Sequence, residues 1–203
     1  MKKITVISII LGCFVSIAHP QKIKSADGGL FIKRVEYNLL ALDSLYNLAA
    51  KGELEKRFFD KFNGFVEFFH ESQCDQCTEV NGFRIIKGKS NKDYVLEVKY
   101  LSDFKDKQIT TLTFPISARF AEELHKKMAW CIDSFKAEGI PPMIDDGYEI
   151  VLRTVVDYEV WSLRFHVPYG NPLKITKLCN QIISDARANK LDESKYLTAL
   201  KGL

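Results

Sequence analysis

The chain has no apolar run long enough to cross a membrane and no excess of charge of either sign. The apolar run from Ile4 to Ala18 stops at His19-Pro20, short of the about 20 residues that a spanning helix needs. Lys2 and Lys3 precede that run, and the other 27 of the 29 basic residues nearly balance the 26 acidic ones. A nucleic-acid binder would show a basic stripe, so we predict no nucleic-acid partner. Because the apolar run is too short, we also predict no transmembrane segment in the processed chain.

The usual catalytic signatures are also missing. Gly88-Lys89-Ser90 ends like a phosphate-binding loop, but Phe83 stands where that loop needs a glycine, and a strand is expected where it needs a helix. Ser102 and Lys105 have an S-x-x-K spacing without the partner motifs S-D-N and K-T-G. The sequence contains neither G-x-S-x-G nor H-E-x-x-H. We therefore predict no cofactor and favour a protein that is not an enzyme.

What is present begins with an export signal. Lys2 and Lys3, the apolar run, and the small residues Ser16 and Ala18 form the tripartite pattern that signal peptidase cuts. We expect residues 1–18 to be removed and the protein to be periplasmic or secreted. The alternative is a lipid anchor on Cys13, because Ile10-Leu11-Gly12-Cys13 loosely resembles a lipobox, although the apolar stretch that continues to Ala18 weakens it.

The rest of the chain has the composition of a folded domain. Apolar residues make up 46% of the sequence, with 14 phenylalanines, which excludes the disordered class. The polar, glycine-containing start predicts a flexible leader over 19–31. One α+β domain is expected over 32–203, with only its C-terminal tail loose.

Hydrophobic spacing predicts a pair of helices at the N-terminal end of this domain. The first carries apolar residues at three- and four-residue steps, namely Val35, Leu39, Leu42, Leu45 and Ala49. The second continues this spacing over 54–69, with Leu54, Phe58, Phe62, Phe65 and Phe69. Because Phe59, Val66 and Phe68 widen its apolar face, we expect the second helix to be heavily buried.

From Gly82 the period changes to two and predicts an antiparallel sheet. A hairpin over 83–101 and a third strand over 109–114 precede a helix that Ser117 caps. The apolar face of that helix is formed by Phe120, Leu124, Met128, Cys131 and Phe135. A second hairpin pairs 148–156 with 160–167 and precedes another helix, with Asn171 as N-cap and Pro172 at its first position. Its inward residues are Ile175, Leu178, Ile182 and Ala186.

The two hairpin-plus-helix units, 82–138 and 147–187, share a short pattern. Gly82-Phe83-Arg84-Ile85-Ile86 matches Gly147-Tyr148-Glu149-Ile150-Val151 in type. A duplicated ββα unit would let two sheets join edge to edge with both helices on one face. Two independent hairpins are the alternative.

Four cysteines remain after signal removal, and all are disulfide candidates: Cys74, Cys77, Cys131 and Cys179. An even number in an oxidising compartment favours pairing, with three connectivities open. Cys131 and Cys179 lie on apolar helical faces, so we expect them buried and unpaired or joined to each other. Cys74 and Cys77 are predicted to be structural, because they follow a predicted helix whose C-terminal dipole disfavours a thiolate.

We expect a non-catalytic exported protein that binds a macromolecule or an envelope component. The candidate contact residues are sheet aromatics, which supply contact area at low entropic cost: Tyr94, Tyr100, Tyr158 and Trp161. The alternative is an exported enzyme, either a thiol-disulfide oxidoreductase using Cys74 and Cys77 or a hydrolase with an unrecognised site. No metal is predicted, because His70, Cys74 and Cys77 have no clear fourth ligand.

Overall fold

Alternating side chains build one antiparallel sheet, and the three longer helices cover one of its faces. The computed structural model describes residues 23–26, 30–36, 53–59, 65–72, 79–88, 93–103, 108–135, 147–156, 159–166 and 168–203. Within these ranges the eight strands are β1 (Ile23–Ala26), β2 (Leu30–Glu36), β3 (Val66–Ser72), β4 (Val80–Lys87), β5 (Tyr94–Asp103), β6 (Gln108–Ile116), β7 (Tyr148–Val156) and β8 (Glu159–His166). The helices there are α1 (Glu53–Phe58), α2 (Ala118–Ser134), α3 (Gly170–Arg187) and α4 (Glu193–Lys201).

Neighbouring strands are antiparallel throughout, in the order β1-β2-β8-β7-β3-β4-β5-β6. The central strand β3 pairs with β4 on one side and with β7 on the other, so Phe68 stands opposite both Phe83 and Leu152. Among the described residues β6 pairs with β5 alone and forms an edge of the sheet. The predicted antiparallel α+β architecture is confirmed, but β3 lies between the two hairpins, which therefore do not join edge to edge.

Helices α2 and α3 enclose the main core on one face of the sheet. The residues predicted to face inward on both helices, including Leu124 and Leu178, are buried there. On β5, Leu96 and Val98 point toward these helices. The strand period of two and the helical period of 3.6 thus supply one shared apolar layer.

The C-terminal tail, expected to be loose, is a docked helix. Tyr196 and Leu200 of α4 are buried in the main core, and the Tyr196 ring lies 5.6 Å from that of Phe120. Ser117 caps α2 as predicted, because its hydroxyl accepts a hydrogen bond from the Phe120 N–H at 3.2 Å. The Ser117 N–H donates to the Glu193 carboxylate at 3.0 Å, which ties the start of α2 to α4.

The second predicted helix is wrong in its C-terminal half. α1 ends at Phe58, and the chain enters strand β3 at Val66. β3 is buried over residues 66–70, and its adjacent apolar residues Phe68 and Phe69 obscure the strand period of two. The first predicted helix lies outside the described residues from position 37 onward, and Val35 belongs to β2.

The predicted cap of α3 is also wrong. Tyr169 is the N-cap residue, Gly170 with φ of 60° begins the helix, and Asn171 and Pro172 follow in its first turn. First-turn N–H groups lack an intrahelical acceptor, so Pro172 removes no hydrogen bond there.

The sequence also predicted a signal, a flexible leader and two related hairpin-plus-helix units. The signal over 1–18 lies outside the described residues, and the expected leader over 19–31 contains β1, which pairs with β2. Gly82 lies within β4 whereas Gly147 precedes β7, and the unit over 82–138 has β6 as an extra strand. Duplication of the two units stays a prediction.

Candidate functional site

The face of the sheet opposite α2 and α3 carries a ladder of alternating charges. Cross-strand register places Glu97 opposite Arg84, Arg84 opposite Glu67, and Glu67 opposite Arg153. We call these four residues the charge ladder. The Arg84 Nε lies 2.8 Å from a Glu97 oxygen, and an Arg153 nitrogen lies 3.4 Å from a Glu67 oxygen. Opposite charges on facing positions stabilise the pairing of these four strands.

Helix α1 adds a carboxylate above the ladder. Glu55 is fully buried, and one of its oxygens accepts a hydrogen bond from Arg153 while the other accepts one from Arg164. Arg164 also donates to Glu149. We call Arg153 and Arg164 the arginine clamp. Charge-assisted bonds from two guanidinium groups make it a strong and directional carboxylate binder.

Burial increases the importance of these ion pairs. Arg153 is only 5% exposed. Burial by itself lowers the pKa of Arg153, but the nearby carboxylates of Glu55 and Glu67 outweigh it and hold the pKa above its ordinary value. Removing one partner of such a buried pair costs about 3–5 kcal/mol, because the other charge stays buried. Glu55 therefore fixes α1 to the sheet.

Beside the clamp, the aromatic rings of Phe58 and Phe59 pack on the sheet. The apolar cluster there consists of Phe58, Phe59, Phe69, Val80 and Val151. The Phe59 ring lies against Gly82, where a Cβ atom would approach the ring to 3.0 Å. The charged ends of Lys99 and Arg84 lie 5.7 and 5.8 Å from the ring centroid, within cation–π range. Lys99 Nζ also donates to the Phe58 carbonyl at 2.8 Å.

The edge strand β6 is a second feature with binding capacity. Its nine residues, from Gln108 to Ile116, include no charged side chain. Natural edge strands are usually protected by lysine, other charges or proline, and here Pro115 is the one such residue. A proline nitrogen carries no hydrogen and so belongs on the unpaired side of an edge strand. By the period of two, the backbone groups of Thr113, Thr111 and Ile109 point to that side as well.

The aromatic residues predicted as contacts are not brought together. Tyr94 is 3% exposed and belongs to the core, so it offers no surface to a partner. Tyr100 is half-buried with the Arg187 guanidinium 4.5 Å from its ring centroid. Trp161 packs against the core from β8, and Tyr158 lies outside the described residues.

Among the described residues, the exposed large apolar side chains are Trp130 at 42% and Tyr169 at 38%. Neither residue was predicted from the sequence to lie at the surface. The signal for Trp130 was available, because it falls between the predicted core positions Met128 and Cys131 of the same helix.

The described cysteines are free thiols in the core. Cys131 and Cys179 are buried and unpaired, one of the two outcomes predicted for them. Burial raises the pKa of Cys131 to about 12 and that of Cys179 well above its usual range, so neither is a nucleophile at neutral pH.

Cys74 and Cys77 lie outside the described residues, in the connection between β3 and β4. The segment before this connection is a strand. The predicted dipole effect of a preceding helix on these two thiols is therefore wrong, because strands carry little net dipole. Their structural or catalytic role stays a prediction.

Two histidines, His70 of β3 and His125 of α2, have nearby partners. His70 lies 3.3 Å from the Asn180 side chain, and the His125 ring stacks on Phe65 at 4.1 Å and contacts the Val155 carbonyl. Burial lowers the pKa of both histidines. Within the described ranges, no three His, Cys, Asp or Glu side chains are grouped so as to hold a metal ion.

Among the helices of the described ranges, none combines the length and the apolar character needed to cross a bilayer. No protein-family model matches the chain, and no curated protein and no solved structure is significantly similar to it.

Proposed function

We propose that this is an exported, non-catalytic protein that binds an extended peptide segment of a partner on edge strand β6. The observation that carries the proposal is the length of this edge together with its lack of charge. An edge of that kind would invite uncontrolled pairing. We infer that it is kept uncharged because a specific strand pairs with it.

Strand addition supplies affinity through main-chain hydrogen bonds and specificity through alternate side chains. The outward backbone groups of Ile109, Thr111 and Thr113 offer the hydrogen bonds. Leu112 and Phe114 are half-buried against the main core and would give apolar contact on the helix-covered side. The favoured partner segment is therefore extended, with apolar residues at every second position.

Export belongs to the same proposal and rests on the pattern in residues 1–18. Outside the cytoplasm, Cys74 and Cys77 would meet oxidising conditions, which favours a disulfide. The partner would then be an envelope or secreted protein with an exposed extended segment.

The test replaces one outward N–H. Thr111→Pro removes a donor from the free side of β6 without removing a bond to β5, whereas Thr111→Val keeps the N–H and serves as the matched control. Affinity capture of the processed protein from its native envelope should retain one partner with the natural chain and Thr111→Val, and lose it with Thr111→Pro. Bound partner should also slow amide exchange in β6.

Equal capture by both variants, or a bound partner that leaves exchange in β6 unchanged, would overturn strand addition. The oxidoreductase alternative predicts a different result. It requires insulin-reducing activity that Cys74→Ser abolishes and that Thr111→Pro leaves intact.

A further inference from the structure

We propose that the sheet face beneath α1 is a second binding site, for a short acidic-aromatic segment of a partner protein, and that α1 fills it in this structure. The site, which we call the α1 seat, consists of Gly82, Arg84, Lys99, Arg153 and Arg164. It is independent of the proposed role of β6.

The carboxylate part of the seat is the arginine clamp. Each oxygen of Glu55 is bound by a different guanidinium group. Arg153 and Arg164 belong to the adjacent strands β7 and β8, which pair directly with each other. The sheet therefore sets the backbone positions of both clamp residues.

The aromatic part lies across β4 and β5. Gly82 leaves room for the Phe59 ring, because it has no side chain. The charged ends of Arg84 and Lys99 make cation–π contacts with this ring. Lys99 also donates a hydrogen bond to the carbonyl of Phe58. Through this bond the seat contacts the backbone of the bound segment. The seat thus contacts a carboxylate, an aromatic ring and a backbone carbonyl of the segment, with Lys99 contacting both the ring and the carbonyl.

The segment α1 has the properties of a bound ligand. It is six residues long, too short to be a stable helix by itself. The Phe59 N–H donates to the Glu55 carbonyl at 2.9 Å, so Glu55 and Phe59 lie one turn apart on the side that faces the seat. The charged groups that contact these two residues belong to Arg84, Lys99, Arg153 and Arg164. These four cations also pair with three carboxylates of the sheet, those of Glu67, Glu97 and Glu149, which leaves one positive charge for Glu55 to balance. This complementarity selects an occupant with a carboxylate four residues before an aromatic ring.

The direct test uses a blocked peptide of residues 53–59 and the full chain with Glu55→Ala and Phe59→Ala, which empties the seat. We expect the peptide to bind this variant at least tenfold more tightly than the natural chain, where α1 competes. A peptide with Glu55→Gln should bind at least tenfold more weakly, because the clamp recognises charge. Equal binding of the two peptides, or no binding to the folded variant, would refute the site.

Should the double variant not fold, the natural chain provides the second measurement. The peptide with a photoreactive group at Phe59 is added in excess, and the attachment sites are mapped by mass spectrometry. Attachment to β4 or β5, together with faster amide exchange in α1, is expected. Attachment elsewhere alone, or none, would overturn the proposal. Concentration-dependent dimers of the natural chain would instead identify a second copy as the occupant and refute a partner protein.

Discussion

Glu71 is a carboxylate that the fold places unfavourably. It lies opposite Glu149 in the antiparallel pairing of β3 with β7. Burial first, and then the negative charges of Glu149 and Glu55, raise its pKa, with Arg164 acting in the other direction. The folded protein therefore binds this proton more tightly than the unfolded chain does, and stability falls as the pH rises from the ordinary glutamate pKa through the raised one.

We expect Glu71→Gln to raise the urea midpoint at pH 7 and to give no gain below about pH 4, where Glu71 is protonated in both states. Denaturant titration at the two pH values measures the difference. Glu149→Gln is the control on the opposite strand and should lower the midpoint at pH 7, because it removes the ion pair with Arg164. The same gain from Glu71→Gln at both pH values would contradict an effect of charge.

The cysteines divide into two classes by environment. We expect Cys131 and Cys179 to resist alkylation at pH 8 in the folded protein, because burial keeps them protonated. In denaturant without reductant the processed chain should gain two adducts, and after reduction four, because we predict a disulfide involving Cys74 and Cys77. Intact mass counts the adducts. Four adducts without reductant would exclude the disulfide.

At the scale of elements, α2 holds the main core together. Leu124 is fully buried against the sheet, and Leu124→Ala removes its contacts and leaves a cavity. We expect a loss of about 2–5 kcal/mol in the free energy of unfolding. Lys126→Ala, on the exposed side of the same helix, should change it by less than about 0.5 kcal/mol. An unchanged midpoint for Leu124→Ala in denaturant titration would contradict this packing.

Ser117 at the start of α2 contacts two helices, because it caps α2 and bonds to Glu193 of α4. Ser117→Ala removes the cap on Phe120 and a hydroxyl contact to Glu193 of α4. Loss of a serine cap costs about 0.5–2 kcal/mol. A double-mutant cycle with Glu193→Ala should show that the two changes are not additive. Full additivity would mean that α4 contributes nothing to this cap.

Element boundaries were hardest to predict where a segment is buried on both sides. The alternating residues of β5 and the spaced apolar residues of α2 have one buried face each, and both elements were predicted correctly. β3 has helices on one side and the α1 aromatics on the other, so Phe68 and Phe69 are both in apolar surroundings. Their adjacency conceals the period of two.

At the scale of the whole molecule, export comes first. We expect the processed chain to begin at His19 or within the next few residues, because Ser16 and Ala18 form the best small-residue site for signal peptidase. N-terminal sequencing of protein recovered from its native source measures this. A chain that begins at an acylated Cys13 would show that the lipid-anchored alternative is correct.

The two proposed binding regions use different parts of one sheet. β6 offers backbone groups along an edge, whereas the α1 seat offers side chains on a face. Thr111→Pro and the peptide test therefore report on separate surfaces. One region can fail its test without affecting the other.

Local pattern in the sequence was enough to identify the hairpins, the apolar faces of α2 and α3, the cap at Ser117 and the burial of Cys131. Each depends on residues within a turn or two of one another. The charge ladder and the arginine clamp depend on strand order, which places Glu67 beside Arg153 and brings Glu55 onto Arg164 across more than a hundred positions. A charged residue in a strand predicts only an exposed face, because its partner lies on a strand that local spacing cannot identify. Tertiary structure alone therefore decided that these charges are paired and that Glu55, Glu67 and Arg153 among them are buried.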